Sequence, residues 1–232
     1  ELRHPHPIIN LRLFRNRNFF AANVLIFGVG VAMFGAIELL PQFAQSVLGY
    51  SAMDAGLGMS PGSLLLILLM PIGARLVGKI DPRLMVCLGF VSTGIAMIVT
   101  AHYMSASVSQ GQMVMLRVLQ SFGMAFLMVP INVLAYVGLP PTEGGNAAAL
   151  INLMRNIGSS VGISLAVTWL ARGMQVHQSQ LVSAGQVAQQ AALLSYADDF
   201  YFFGAVALLI APLIWMSKRP PAGAVAPPPE AQ

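Results

Sequence analysis

Charge is what this sequence is short of. Only 9% of its 232 residues are Asp, Glu, Lys or Arg, while 56% are hydrophobic and the mean hydropathy is +0.73. A water-facing domain carries roughly a quarter of its residues as charges. A soluble globule is therefore excluded, and lipid has to serve as the solvent. The single cysteine, Cys87, stands inside an apolar run, so no intrachain disulfide is available. The four histidines (His4, His6, His102 and His177) fall in the leader or in loops, and there is no HExxH pair. That removes an intramembrane zinc site and a Ser–His pair within the bilayer. There is no P-loop either, and Gly158-Ser-Ser-Val-Gly162 sits mid-span instead of cradling a phosphate. Neither an enzyme nor a metal or cofactor is expected. The net charge of +4 does not point to nucleic acid, because the basic residues gather at the ends of apolar runs.

What is present is a series of six such runs. The expectation is an all-α membrane protein in which six transmembrane helices form one bundle within the lipid bilayer, with spans at about 19–40, 55–77, 84–101, 112–137, 147–171 and 200–216. Residues 1–18 form a basic leader or linker, 172–199 a long polar outer loop suited to a short amphipathic helix, and 217–232 a Pro/Ala-rich tail expected to be disordered. Pro41 is read as the end of the first span. Ser51 and Asp54 read as a cap opening the second, with Pro61 and Pro71 as kinks within it. With six spans both termini share a side. That side collects Arg3, Arg12, Arg15, Arg17, Arg75, Lys79, Arg83, Lys218 and Arg219, against Arg172 alone on the other. The split places both termini in the cytoplasm. The chain opens Glu1-Leu2-Arg3 with no methionine and no cleavable signal pattern, so more protein is expected upstream.

The informative residues are the polar ones inside the spans. Arg117 and Gln120 lie three apart in the fourth run, with Ser121 and Met124 on the same face. An arginine at mid-membrane costs about 2.5–3.5 kcal/mol on insertion scales, so it is expected to face protein or a water-filled cavity. The fifth run carries a second stripe, Asn152, Arg155, Asn156 and Ser159, at i, i+3, i+4 and i+7. Gln120, Asn152, Arg155, Asn156 and Ser159 are thus the candidates to line a cavity. On another face Gly158, Gly162 and Ala166 form a small-residue seam for helix packing, as do Gly28, Ala32 and Ala36 in the first run. Glu38 is the acid most clearly inside a span. It is either an interfacial carboxylate wetted at the helix end or a protonatable carboxylate in the cavity, able to carry protons. Ionisable groups on facing, kinked helices suit a transporter driven by an ion gradient.

Several stretches resemble a known family. Leu40-Pro41-Gln42, then Leu48-Gly49-Tyr50-Ser51, Ala55-Gly56-Leu57 and Pro61, is similar to a helix connection in the C-terminal half of major facilitator superfamily proteins, specifically the fourteen-spanner drug:proton antiporters. Gly73, Gly78, Lys79, Asp81 and Arg83 look like a degenerate copy of that superfamily's cytoplasmic loop motif. Arg117-Val-Leu-Gln-Ser-Phe-Gly-Met-Ala125 resembles its RxxQGxGxA pattern, with Ser121 where glycine is usual, and Gly158–Gly162 resembles a weakened antiporter motif. The resemblance implies a half-bundle of a proton-coupled multidrug efflux transporter working by alternating access, with Arg117 at the coupling position. It further implies a missing N-terminal transmembrane half, lipophilic substrates and protons, a multi-pass location in the bacterial inner membrane, and a periplasmic adaptor with an outer-membrane channel. The competing readings are a major facilitator exporting a metabolite or siderophore, and a six-span scaffold subunit that transports nothing.

Overall fold

The computed structural model describes residues 11–77, 79–182 and 188–217. The leader's first ten residues, Gly78 and the tail from Lys218 lie outside the described residues. Among the described residues, six helices are long and apolar enough to cross a membrane: α1 (Arg17–Ser46), α2 (Ala52–Val77), α3 (Pro82–Tyr103), α4 (Gln110–Tyr136), α5 (Gly144–Val182) and α6 (Ala188–Ile210, tightening to a 3-10 helix over Ala211–Met216). The protein is a multi-pass membrane protein.

Each helix runs longer than its apolar run alone suggests, for local reasons. Asn16 caps α1, its Oδ1 accepting from the backbone N–H groups of Asn18 and Phe19, so the leader gives way to helix before residue 18. Pro41 does not end α1, which continues to Ser46; a proline forfeits one backbone bond and kinks a helix without having to stop it. Ser51 caps α2 by accepting from the Asp54 N–H at 3.1 Å, and its hydroxyl donates to the Asp54 carboxylate. Ser109 and Gln112 make a full capping box at the start of α4, within what reads as plain loop. The largest correction concerns the outer loop expected at 172–199. α5 continues to Val182 and α6 begins at Ala188, because Ala and Gln sustain helix whether or not the segment is apolar.

α1 is the centre of the bundle: 72% of its most apolar window is buried, against 17% for α2 and 28% for α5. It packs on α4, α5 and α6, while α3 lies between α4 and α6. α2 rests chiefly on α4, and α5 on α1 and α6; α2 and α5 make no substantial contact with each other. Two large cores result, one around Phe19, Leu25, Phe90 and Leu127 and one around Leu39, Phe43, Tyr196 and Phe203. In lipid, helix association draws on close van der Waals contact and not on escape from water. The α1–α5 contact shows how that is reached. Residues Gly30–Phe34 form a single π-helical turn inside α1. It places Gly30 and Gly35, five apart, against Gly158 and the Gly162 carbonyl of α5, four apart. A Cβ on Gly30 would lie 2.8 Å from the Gly158 backbone, and one on Gly158 or Gly162 would strike the carbonyl of Phe27 or Val31. The wider π spacing is what keeps the two glycine ladders in step past one another.

Candidate functional site

The segment Arg117–Ala125 on α4 meets α2 through Arg117 and Ser121 and α3 through Gln120 and Gly123. Gly62 of α2 lies under Arg117: a Cβ there would sit 2.6 Å from Arg117 Cγ and 2.8 Å from Ser121 Oγ. Gln120 is buried, and its Nε2 donates to Thr100 Oγ1 of α3 at 3.0 Å while the threonine hydroxyl donates to the Ala96 carbonyl. Gly123 gives α3 room at Thr93, whose backbone N would lie 2.8 Å from a Cβ at position 123. Ser121 returns its hydroxyl to the Arg117 carbonyl at 2.9 Å. Gln120 therefore ties α4 to α3, and only its flank joins Arg117, Met33, Ile37 and Met124 around a small recess between α1 and α4.

Arg117 is half-buried, and its Nε is enclosed with no hydrogen-bond partner. Among the described residues no carboxylate lies within ion-pair distance of it; the one ion pair there joins His177 and Asp198. Glu38 is one residue beyond Ile37 on α1 but is exposed, so the structure does not bring the two proton-coupling candidates into contact.

The second stripe sits on α5. Arg155 is half-buried, its Nη1 donating to Asn152 Oδ1 at 3.3 Å and its Nε enclosed without a partner. Ser159 donates to the Arg155 carbonyl and is also half-buried, whereas Asn152 and Asn156 are exposed. Sequence reasoning missed how far this polar face extends. Asn152, Asn156, Ser160, Ser164 and Thr168 follow at steps of four, and all five are exposed on the helix the bundle covers least but one. The signal was legible as an i, i+4 row, hidden because serine and threonine are tolerated in any span by bonding to the preceding turn. Asn can make one such bond, as Asn23 and Asn132 do, but its amide oxygen stays unmet, and Arg has donors to spare, so neither faces hydrocarbon cheaply. Gly158, Gly162 and Ala166 are buried on the opposite side of the same helix, against α1.

Of the loop-motif residues, Asp81 and Arg83 form a helix cap. Asp81 Oδ1 accepts from the Arg83 backbone N–H at 3.1 Å, starting α3, and Gly73 is buried against the Ala125 carbonyl. Lys79 is exposed, and Gly78 lies outside the described residues. Among the described residues no group of His, Cys, Asp or Glu is placed to hold a metal.

Comparison with known proteins adds the context. The family model of the Major Facilitator Superfamily matches residues 2–163. The multidrug export protein EmrB of Escherichia coli K12 is 28% identical over 97% of this chain and 49% of its own length. The multidrug resistance protein Stp of Mycobacterium tuberculosis is 30% identical over 78% of this chain and 34% of its own. The fatty acid resistance protein FarB of Neisseria gonorrhoeae is 24% identical over 95% and 49%. The chain spans about half the length of EmrB and FarB, and about a third of Stp.

Proposed function

The chain belongs to the Major Facilitator Superfamily, a family of transport proteins and not of enzymes, and from that premise we propose that it is the C-terminal half of a proton-coupled multidrug efflux transporter. In this reading an N-terminal transmembrane half covers the sparsely buried α2 and α5. The cargo passes between the halves, and both ends of this chain face the bacterial cytoplasm. The observation that carries the reading is the polar row of α5 from Asn152 to Thr168 with Arg155 beside it, together with Arg117 across the bundle. Polar groups on uncovered helix faces suit a wet interior shared with a second bundle. Arg117 then responds to protonation of the cavity through its charge, with Glu38 as the acid on α1. The half-length match to multidrug exporters supports the cargo class, and in this reading a periplasmic adaptor and outer-membrane channel complete the export path.

The test is the full-length protein in proteoliposomes, assayed for movement of a lipophilic cation under an imposed pH gradient. Gradient-dependent flux that disappears in Arg117→Ala, with unchanged folding, is the expected result. A well-folded protein that moves no lipophilic cargo under any gradient favours the scaffold reading. A second cargo class has its own support: Arg117 and Arg155 outnumber Glu38 among the cavity candidates, and one relative is named for fatty acid resistance. Faster flux of an amphiphilic carboxylate than of a lipophilic cation selects it.

A further inference from the structure

Asp199 lies in neither stripe. It sits eleven residues into α6, roughly 16 Å along the axis from the helix start at 1.5 Å per residue. It has no exposed surface, and neither carboxylate oxygen has a hydrogen-bond partner. The residues that follow it on the helix are apolar: Phe200 and Phe203 are fully enclosed and belong to the core around Leu39 and Phe43. One turn earlier the buried Ser195 spends its hydroxyl on the Ala191 carbonyl, and the Tyr196 hydroxyl is paired with Ser46 of α1 at 3.0 Å. An isolated carboxylate in such a place costs far more than a neutral carboxyl, so it needs a proton or access to water. Its sequence neighbour Asp198 is half exposed and holds His177 of α5 at 2.9 Å, which puts a titratable pair on the surface beside the buried acid.

We propose that Asp199 is a proton-binding carboxyl of the transport cycle, exchanging its proton with water through the His177–Asp198 pair at the near end of α5 and α6. This deepens the proton-coupled reading and rests on it for the transport step. The charged and titratable groups on the packed elements are Asp198, Tyr196 and the exposed Tyr201 on α6 itself, His177 and the exposed Arg172 on α5, the half-buried Cys87 and the exposed His102 and Tyr103 on α3, and the exposed Glu38 on α1. None lies within hydrogen-bond distance of the Asp199 carboxylate, and Arg17, Arg83 and Arg155 stand toward the other ends of their helices. A buried acid kept only for packing would be equally served by asparagine. A proton site would not.

The experiment uses the full-length protein and has two readouts. In infrared difference spectra across a pH titration, the protonated-carboxyl band that fades at high pH is lost in Asp199→Asn, retained in Asp198→Asn and restored in Asp199→Glu. In proteoliposomes Asp199→Asn loses pH-gradient-driven flux and keeps substrate exchange at zero gradient. Should the asparagine variant not fold, a hydrophobic carbodiimide on the wild-type protein is mapped by mass spectrometry, and labelling at residue 199 that declines as pH rises is expected. A band that survives Asp199→Asn, gradient-driven flux at the wild-type rate in that variant, or no label at residue 199 each overturns the inference. If the wild type shows no gradient-driven flux yet the band maps to Asp199, the proton site stands and the coupling reading falls.

Discussion

Arg117 lies across Gly62, and the glycine matters as much as the arginine. A side chain at position 62 would have to displace the Arg117 stem or the Ser121 hydroxyl, since both lie within 3 Å of the Cβ position. Gly62→Val is therefore expected to reproduce the transport defect of Arg117→Ala and, because position 62 is buried against the Arg117 carbonyl as well, to lower thermal stability of the full-length protein by about 1–3 kcal/mol. Flux and thermal unfolding measured side by side check this; a Gly62→Val protein with wild-type flux contradicts it. At this scale the sequence announced Arg117, Arg155 and the motif spacing, since a guanidinium in an apolar run admits few explanations. It could not announce that Gln120 would be taken up by Thr100, because twenty residues and a turn separate the two. Asp199 was hidden for a plainer reason. The apolar run begins at Phe200, and only the helical continuation through the polar segment before it carries the acid indoors.

Among the elements, the α1–α5 pair is the most constrained. Its two backbones meet directly at Gly30, Gly158 and Gly162, while Gly35 faces the Phe203 ring of α6 as well as the Gly162 carbonyl. Overpacking of a tight contact costs about 1–3 kcal/mol and sometimes more. Gly158→Val is expected to lower thermal stability in detergent by an amount in that range, and Gly144→Val, with open space around its Cβ position, to leave it unchanged. Equal melting of the two variants contradicts the packing account. The glycine ladder on α5 was visible as a small-residue seam, and Gly28, Ala32 and Ala36 as a second one on α1 with no partner assigned. The partner of the α5 seam is Gly30 and Gly35, while Gly28 lets Ile210 of α6 approach closely. A four-residue spacing presumes a regular α-helix; the π turn shifts the phase by one residue, and no residue type in Gly30–Phe34 signals it.

For the whole molecule, the uneven burial of the six spans is the main fact. α1 is enclosed by its neighbours while α2 and α5 are mostly bare. Bare apolar faces such as Leu64, Ile67 and Leu68 can rest in lipid, but Asn152 and Asn156 at the start of the α5 row, with Arg155 beside them, cannot do so cheaply. The six-span count and the class of fold were legible because hydrocarbon thickness sets span length. Which helices would be left uncovered was not, since that depends on tertiary neighbours. In the proposed function this chain expressed by itself inserts but moves no cargo. Co-expression with the upstream half restores flux, measured as retention of a fluorescent lipophilic cation in cells; flux from this chain alone contradicts the half-bundle reading. The most direct measurement is aqueous accessibility of the α5 face. In a full-length protein carrying Cys87→Ser, single cysteines at positions 152, 156, 160, 164 and 168 are predicted to react with a membrane-impermeant thiol reagent and to be shielded by bound cargo. Cysteines at those positions that stay unreactive to it while labelling with a lipid-phase reagent would place the row in the bilayer and contradict the account.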